Sequence, residues 1–186
     1  MISMALRWEW RTFGDRFGAA ESRLGSMPVE SVADSDETYL LSAEGRDAVK
    51  VRDGLMDVKH LERVDGDGLE LWKPVMKSPL PISAADAQVV LAALGVRAPL
   101  TRNSYDLGDI AGASEAVLVV TVHKKRRHFT FGGCMAELTD VRTADRFTRT
   151  IAIESEEPAR VIAAARELGL DSRPNISVPH GLKALI

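Results

Sequence analysis

Two stretches of this chain fold back on themselves with opposite chemistry on their two faces. The first, "AVKVRDGLMDVKHL" (48–61), contains Asp53-Gly54, a dipeptide favoured in two-residue hairpin turns. Pairing about that turn sets Arg52 against Leu55, Lys50 against Asp57 and Ala48 against Lys59, and directly paired residues share a sheet face. Lys50, Arg52, Asp57 and Lys59 then lie on one face, and Val49, Val51, Met56 and Val58 on the other. The second stretch, "VHKKRRHFTFGGCMAELTDV" (122–141), turns at Gly132-Gly133. Its register sets His128 against Glu137, Arg126 against Thr139 and Lys124 against Val141. Lys124, Arg126, His128, Glu137 and Thr139 therefore share a face; Phe129, Phe131, Cys134, Ala136 and Leu138 occupy the opposite one, with Lys125 and Arg127 toward its far end. A slip of one residue would invert both sets, so the assignment depends on the two turns.

Two further strands carry the same alternation. In "RWEWR" (7–11), Trp8 and Trp10 share one face and Arg7, Glu9 and Arg11 the other. In "TIAIESEE", Ile151 and Ile153 have one phase, and Glu154 and Glu156 have the other. An ordinary antiparallel sheet, apolar inside and charged outside, accounts for any one of these strands. It must also account for charges that segregate by sign, cationic in two hairpins and carboxylate-rich in the last strand.

The remaining pattern is that of an α+β domain around an antiparallel sheet or barrel. Strands are expected over 5–13, 36–43, 46–53, 55–64, 68–76, 115–124, 125–131, 134–141 and 147–156. A short helix is expected in 14–25. Another starts at Ser83, with Asp86 three residues on and Gly95 as its stop; a third runs over 158–168 from Pro158 to Gly169. The two prolines of "KSPLPIS" (77–83) mark the clearest internal joint, and 99–113 reads either as loop or as short helix. The length of 186 residues suits one domain, taken as 1–186.

Composition excludes several classes. A net charge of −3 argues against a dedicated duplex-DNA binder. The run Lys124-Lys125-Arg126-Arg127 leaves nucleic acid as a weak alternative partner. Cys134 is the sole cysteine, so no internal disulfide can form, and it reads as a small core residue. No apolar run reaches membrane-spanning length, and no secretory leader stands at the N-terminus, so a cytoplasmic location is the default. His60, His123 and His180 show no metal-ligand spacing, and phosphate-binding glycine loops are missing.

Taken in order, these motifs resemble the CYTH family, the triphosphate tunnel metalloenzymes. "RWEWR" falls where that family has Glu-x-Glu-x-Lys, "VKVR" supplies a basic pair on Lys50 and Arg52, and "DVK" supplies Lys59. "HKKRR" matches a Lys-x-Arg on Lys124 and Arg126, "AELTDV" supplies Glu137, and "IAIESE" matches a late Glu-x-Glu on Glu154 and Glu156. The tail "NISVPHGLKALI" is similar to the closing segment of the family and contributes Lys183. The resemblance implies an antiparallel barrel of about eight strands with flanking helices and a charged interior. It implies phosphate binding by Arg11, Lys50, Arg52, Lys59, Lys124, Arg126 and Lys183. It implies Mg²⁺ or Mn²⁺ as cofactor, held by Glu9, Glu137, Glu154 and Glu156, with Glu9, Glu154 and Glu156 as the catalytic carboxylates.

The resemblance further implies metal-dependent hydrolysis of a terminal phosphoanhydride in inorganic triphosphate or a nucleoside or thiamine triphosphate. One departure bears on this. Arg7 stands where the family has its first glutamate, and Arg11 stands where it has lysine. The departure motivates an alternative, a non-catalytic polyphosphate- or nucleotide-binding module of the same fold. Cyclisation of ATP, as in class IV adenylyl cyclases, is a further alternative, although nothing in the sequence ties the chain to adenine.

Overall fold

A computed structural model describes residues 5–186. Residues 1–4, which belong to the domain expected over 1–186 and to the reading of the N-terminus, lie outside the described residues. In chain order the strands are β1 (Arg7–Gly14), β2 (Ser31–Leu41), β3 (Ala48–Arg52), β4 (Leu55–Val64), β5 (Glu70–Pro79), β6 (Ile82–Ser83), β7 (Ser104–Tyr105), β8 (Leu118–Phe131), β9 (Cys134–Arg142) and β10 (Phe147–Ser155). The helices are α1 (Ala19–Gly25), α2 (Ala84–Ala93), α3 (Leu107–Ala111), α4 (Pro158–Glu167) and α5 (Val178–Leu185). Eight strands close into an antiparallel barrel in the order β1-β10-β9-β8-β2-β3-β4-β5, and β6 and β7 pair separately.

Both hairpins have the expected register. Arg52 pairs with Leu55, Lys50 with Asp57 and Ala48 with Lys59; His128 pairs with Glu137 and Arg126 with Thr139. Asp53 and Gly54 have φ of 53° and 73°, and Gly132 and Gly133 have 58° and 73°. Positive φ at both central positions matches the right-handed twist of the flanking strands. The register fixes the faces, and barrel closure turns the charged one inward. Trp8 and Trp10 pack on the outer wall with Ile151, Ile153, Phe129 and Leu138 beneath α1 and α4. Val49, Met56 and Val58 pack outside against Val90 and Leu91 of α2 and Ile110 of α3.

Several boundaries differ from the sequence expectation. The stretches 115–124 and 125–131 form one 14-residue strand, β8, so the basic run continues straight through and alternates faces. β2 begins at Ser31 rather than 36, because its polar first half has a partner: Asp34 pairs with Lys125 and Asp36 with His123. β5 extends to Pro79 past Pro74, which is tolerated beside the register shift where Lys59 pairs with Pro74 and Val58 with Met76. The first helix starts only at Ala19, after Gly18 at φ 54°. The ambiguous 99–113 resolves into β7 and into α3, opened by a reciprocal Asp106–Asp109 capping box. Ser83 caps α2 by accepting from Asp86 N at 3.1 Å.

The C-terminal segment, for which no helix was expected, shapes the interior. Asn175 accepts from Arg11 N at 2.8 Å and donates to Glu9 O at 3.2 Å and Gly68 O at 2.8 Å. Ile176 N donates to Arg11 O. These bonds continue the seam where β1 pairs with β5 only over Arg7–Glu9. α5 follows, with Ser177 as its cap, and lies across one end of the barrel. Leu182 there meets an apolar floor of Leu41, Val120, Val122 and Val141.

Candidate functional site

The inner wall surrounds a cavity of about 590 Å³ above that floor. Nine of the residues singled out from sequence line it together: Glu9 and Arg11 from β1, Lys50 and Arg52 from β3, Lys59 from β4, Lys124 and Arg126 from β8, Glu137 from β9 and Glu154 from β10. Arg7 and Lys77 join them, so eight Lys and Arg side chains (Arg7, Arg11, Lys50, Arg52, Lys59, Lys77, Lys124, Arg126) face four carboxylates (Glu9, Asp57, Glu137, Glu154). Two expected residues lie elsewhere. β10 ends at Ser155, so Glu156 sits exposed in the bend that follows and does not share the Glu154 face. Lys183 donates to Ser42 O at 3.2 Å and Gly45 O at 2.9 Å, tying α5 to the loop before β3.

Sequence reasoning missed the hub of the cationic wall. Glu37 is 0 % exposed and accepts from Tyr39 Oη at 2.8 Å and from the Arg126 guanidinium. Lys124 Nζ lies 3.2 Å from it, Lys50 Nζ 3.4 Å and Arg52 Nη1 3.5 Å. Burial pushes the Glu37 carboxyl up, but Lys124, Lys50 and Arg126 outweigh burial and hold it well below the usual carboxylate range. Lys124 Nζ also donates to Tyr39 Oη at 2.6 Å. Burial drives the Lys124 ammonium down to about 7; Glu37 opposes the shift, and Lys50 and Arg126 add to it. The signal for Glu37 was its phase: Glu37, Tyr39 and Leu41 alternate with Asp36, Thr38 and Leu40 on one strand.

A second group of charges surrounds β1. Glu9 pairs directly with Glu154 on β10 and with Glu70 on β5, which puts three carboxylates in a row across adjacent strands. Arg11 Nε lies 2.9 Å from Glu9 Oε1, and Arg11 Nη1 bonds Thr150 Oγ1 at 3.0 Å and lies 3.5 Å from Glu137. Burial works against the charge on Glu9, yet Arg11 keeps that carboxyl below its ordinary value. Burial, the Glu9 charge and a hydrogen bond to Glu9 push Glu154 up to about 7. Burial and Glu9 push Glu70 to about 7 as well, with Trp72 Nε1 donating to it at 3.2 Å. Glu137 accepts from Thr139 Oγ1 and lies 3.3 Å from His128 Nε2. The bond to Glu137 raises the imidazole above its ordinary value.

The basic run of β8 is divided by strand alternation. Lys124 and Arg126 point into the cavity, whereas Lys125 pairs with Asp34 and Asp140 on neighbouring strands and belongs to the outer face with Arg127. It does not form one contiguous patch. No helix among the described residues is long and apolar enough to cross a membrane.

The metal expected from the family resemblance finds a short donor set. Among the described residues, no group of three or more His, Cys, Asp or Glu is placed to hold a metal ion. Glu9 and Glu154 stand side by side, but Arg11 bonds both Glu9 oxygens, at 2.9 and 3.4 Å, and Arg7 Nη1 lies 3.9 Å from Glu154. Glu137 is spoken for by Thr139, Arg11, Arg126 and His128. Glu156 lies outside the cavity. The donor chemistry therefore does not fit a resident divalent ion held by protein ligands alone.

The fold of this chain, a closed eight-stranded antiparallel barrel, has solved counterparts. A protein from Bacillus halodurans, provisionally described as an adenylate cyclase, superposes with a TM-score of 0.54 at 13% identity, over 97% of this chain and 98% of that one. The fold is CYTH-like. A second CYTH-like barrel, from Hippeastrum, is provisionally an adenylyl cyclase with a dominant triphosphatase activity; it superposes with a TM-score of 0.53 at 12% identity, over 88% of both chains. No protein-family model matches the sequence, and no curated protein matches it. The CYTH-like barrel is thus shared at the level of backbone, and the interior charges described above belong to this chain.

Proposed function

We propose that the barrel binds the triphosphate moiety of a small molecule through its cationic wall. One observation carries this reading: eight Lys and Arg side chains and only four carboxylates line a cavity of about 590 Å³ closed at one end. Mutually repelling cations in a poorly solvated cavity favour an anion that spreads several charges over many oxygens. Arg11, Lys50, Arg52, Lys59, Lys124 and Arg126 approach such a chain from four strands, and Arg side chains can grip phosphate oxygens in pairs.

Hydrolysis of a terminal phosphoanhydride is the second reading. Burial drives the Lys124 ammonium down to about 7 and pushes the Glu154 carboxyl up to about 7, values that suit groups handling the proton of an attacking water. The Hippeastrum protein with dominant triphosphatase activity lends this reading support at the level of fold. Incubation with tripolyphosphate or ATP, with and without Mg²⁺ or Mn²⁺, tests both readings through calorimetric binding and phosphate release. Binding with turnover supports an enzyme, binding without turnover a binding module. Cyclic AMP from ATP would move the activity to cyclisation, and no binding under any condition would remove the proposal.

A further inference from the structure

The inner wall carries cations where a metal-dependent phosphate site would carry free carboxylates. Arg7 lies at the mouth, beside Glu154, and its side chain is about one-third exposed. Its other contact, Nη1 to Met135 Sδ at 3.0 Å, is weak and easily exchanged for a phosphate oxygen. Arg11 lies two residues on along the same inner face and spans Glu9, Thr150 and Glu137. The two guanidiniums therefore flank the Glu9–Glu154 pair from both sides. A divalent ion seated there would meet two fixed positive charges within a few ångströms, in a cavity whose Lys and Arg already outnumber its carboxylates.

We propose that this barrel takes up a condensed phosphate chain without a divalent metal ion, the Arg7 and Arg11 guanidiniums supplying beside Glu9 and Glu154 the positive charge that a metal would supply. The inference rests on the reading of the cavity as a triphosphate site. A guanidinium delivers its charge with directed N–H donors and needs no carboxylate ligands of its own. Glu9 and Glu154 then orient arginines rather than coordinate metal, and Arg7, at the open end, meets the terminal phosphate first.

Calorimetric titration with sodium tripolyphosphate tests this, once in excess EDTA and once in Mg²⁺. The expected result is binding in EDTA with an affinity within about threefold of that in Mg²⁺. The variant Arg7→Glu is expected to lose at least about tenfold in EDTA and to recover on Mg²⁺ addition; Arg7→Lys, which keeps the charge but not the fork, is expected to fall between. Mn²⁺ without tripolyphosphate, followed by electron paramagnetic resonance, should stay free beside the wild type and become bound with Arg7→Glu. Circular dichroism of each variant serves as the control for folding, and the partly exposed side chain of Arg7 makes these substitutions tolerable to the fold. Tripolyphosphate binding by the wild type only in Mg²⁺ or Mn²⁺ would overturn the inference and leave the triphosphate reading standing. Absence of binding in both would overturn the two together.

Discussion

Glu37 shows how a single buried charge can set the character of a whole cavity. Among the described residues it is the one carboxylate with no exposure, and Lys50, Arg52, Lys124 and Arg126 converge on it. Replacing it with Gln leaves those cations facing one another, and losing one side of a buried ion pair is costly. Glu37→Gln is expected to lower unfolding stability by about 3 kcal/mol in urea denaturation, with part of the loss recovered when tripolyphosphate is present. Glu154 behaves in the opposite sense. Its folded-state value of about 7 lies above its ordinary 4.5, so the folded protein holds a proton that the unfolded chain has already released. That contribution is fully present below 4.5 and is lost as pH rises through 7. Glu154→Gln is therefore expected to match the wild type near pH 4 and to exceed it by on the order of 2 kcal/mol near pH 8, by denaturant titration at both values. Equal stability at the two pH values would show that Glu154 titrates normally. Arg11, Lys50, Arg52, Lys59, Lys124 and Arg126 were legible in the sequence because hairpin register or a one-step alternation fixes their face. Glu37 was not, because it stands at the polar start of the strand expected over 36–43, and alternation alone does not say whether its face or that of Asp36 turns inward until β8 is seen beside it.

Among the elements, the hairpins were the most legible, since two-residue turns with positive φ leave only one register to the strands they join. Elements whose stability comes from distant partners were the least legible. The first half of β2 becomes a strand through Asp34 and Asp36, which both bond His123 at 2.8 Å across the sheet. α5 is a helix because it covers the barrel floor and because Lys183 anchors it; its own sequence has a proline and a glycine in its first turn. The glycine is required by contact. A Cβ on Gly181 would come within 2.3 Å of the Phe13 ring. Gly181→Ala is expected to push Phe13 aside, loosen α5 and lower stability by about 1–3 kcal/mol in urea denaturation, while amides of α5 exchange faster. Asn175→Ala acts at the other end of the same segment. It strips the Arg11 amide and the Glu9 and Gly68 carbonyls of their partner at the seam, and a loss of about 1–3 kcal/mol is expected in the same assay.

The whole molecule is a barrel with an apolar outside under helices and a charged inside, the reverse of the usual burial rule. Eight cations in this interior share four cavity carboxylates and the buried Glu37, so the positive side chains repel one another in the folded state. A multivalent anion that enters relieves that repulsion in the folded state alone, so it must raise folding stability by mass action. At a concentration a hundred times its dissociation constant, tripolyphosphate is expected to add about 2.7 kcal/mol. For a chain of 186 residues this corresponds to a rise in Tm of about 5–10 °C. Orthophosphate, with fewer charges to place against the same wall, should give a smaller shift at equal concentration. Lys50→Ala and Arg126→Ala should each reduce the tripolyphosphate shift, because the two side chains approach the same anion from β3 and β8. Sodium chloride at matched ionic strength separates this from general screening, which acts on exposed charges over about 10 Å or less and has no need of a closed cavity. If chloride reproduces the full shift, or if both variants keep it, then stabilisation comes from the outer surface and the interior is not the anion site.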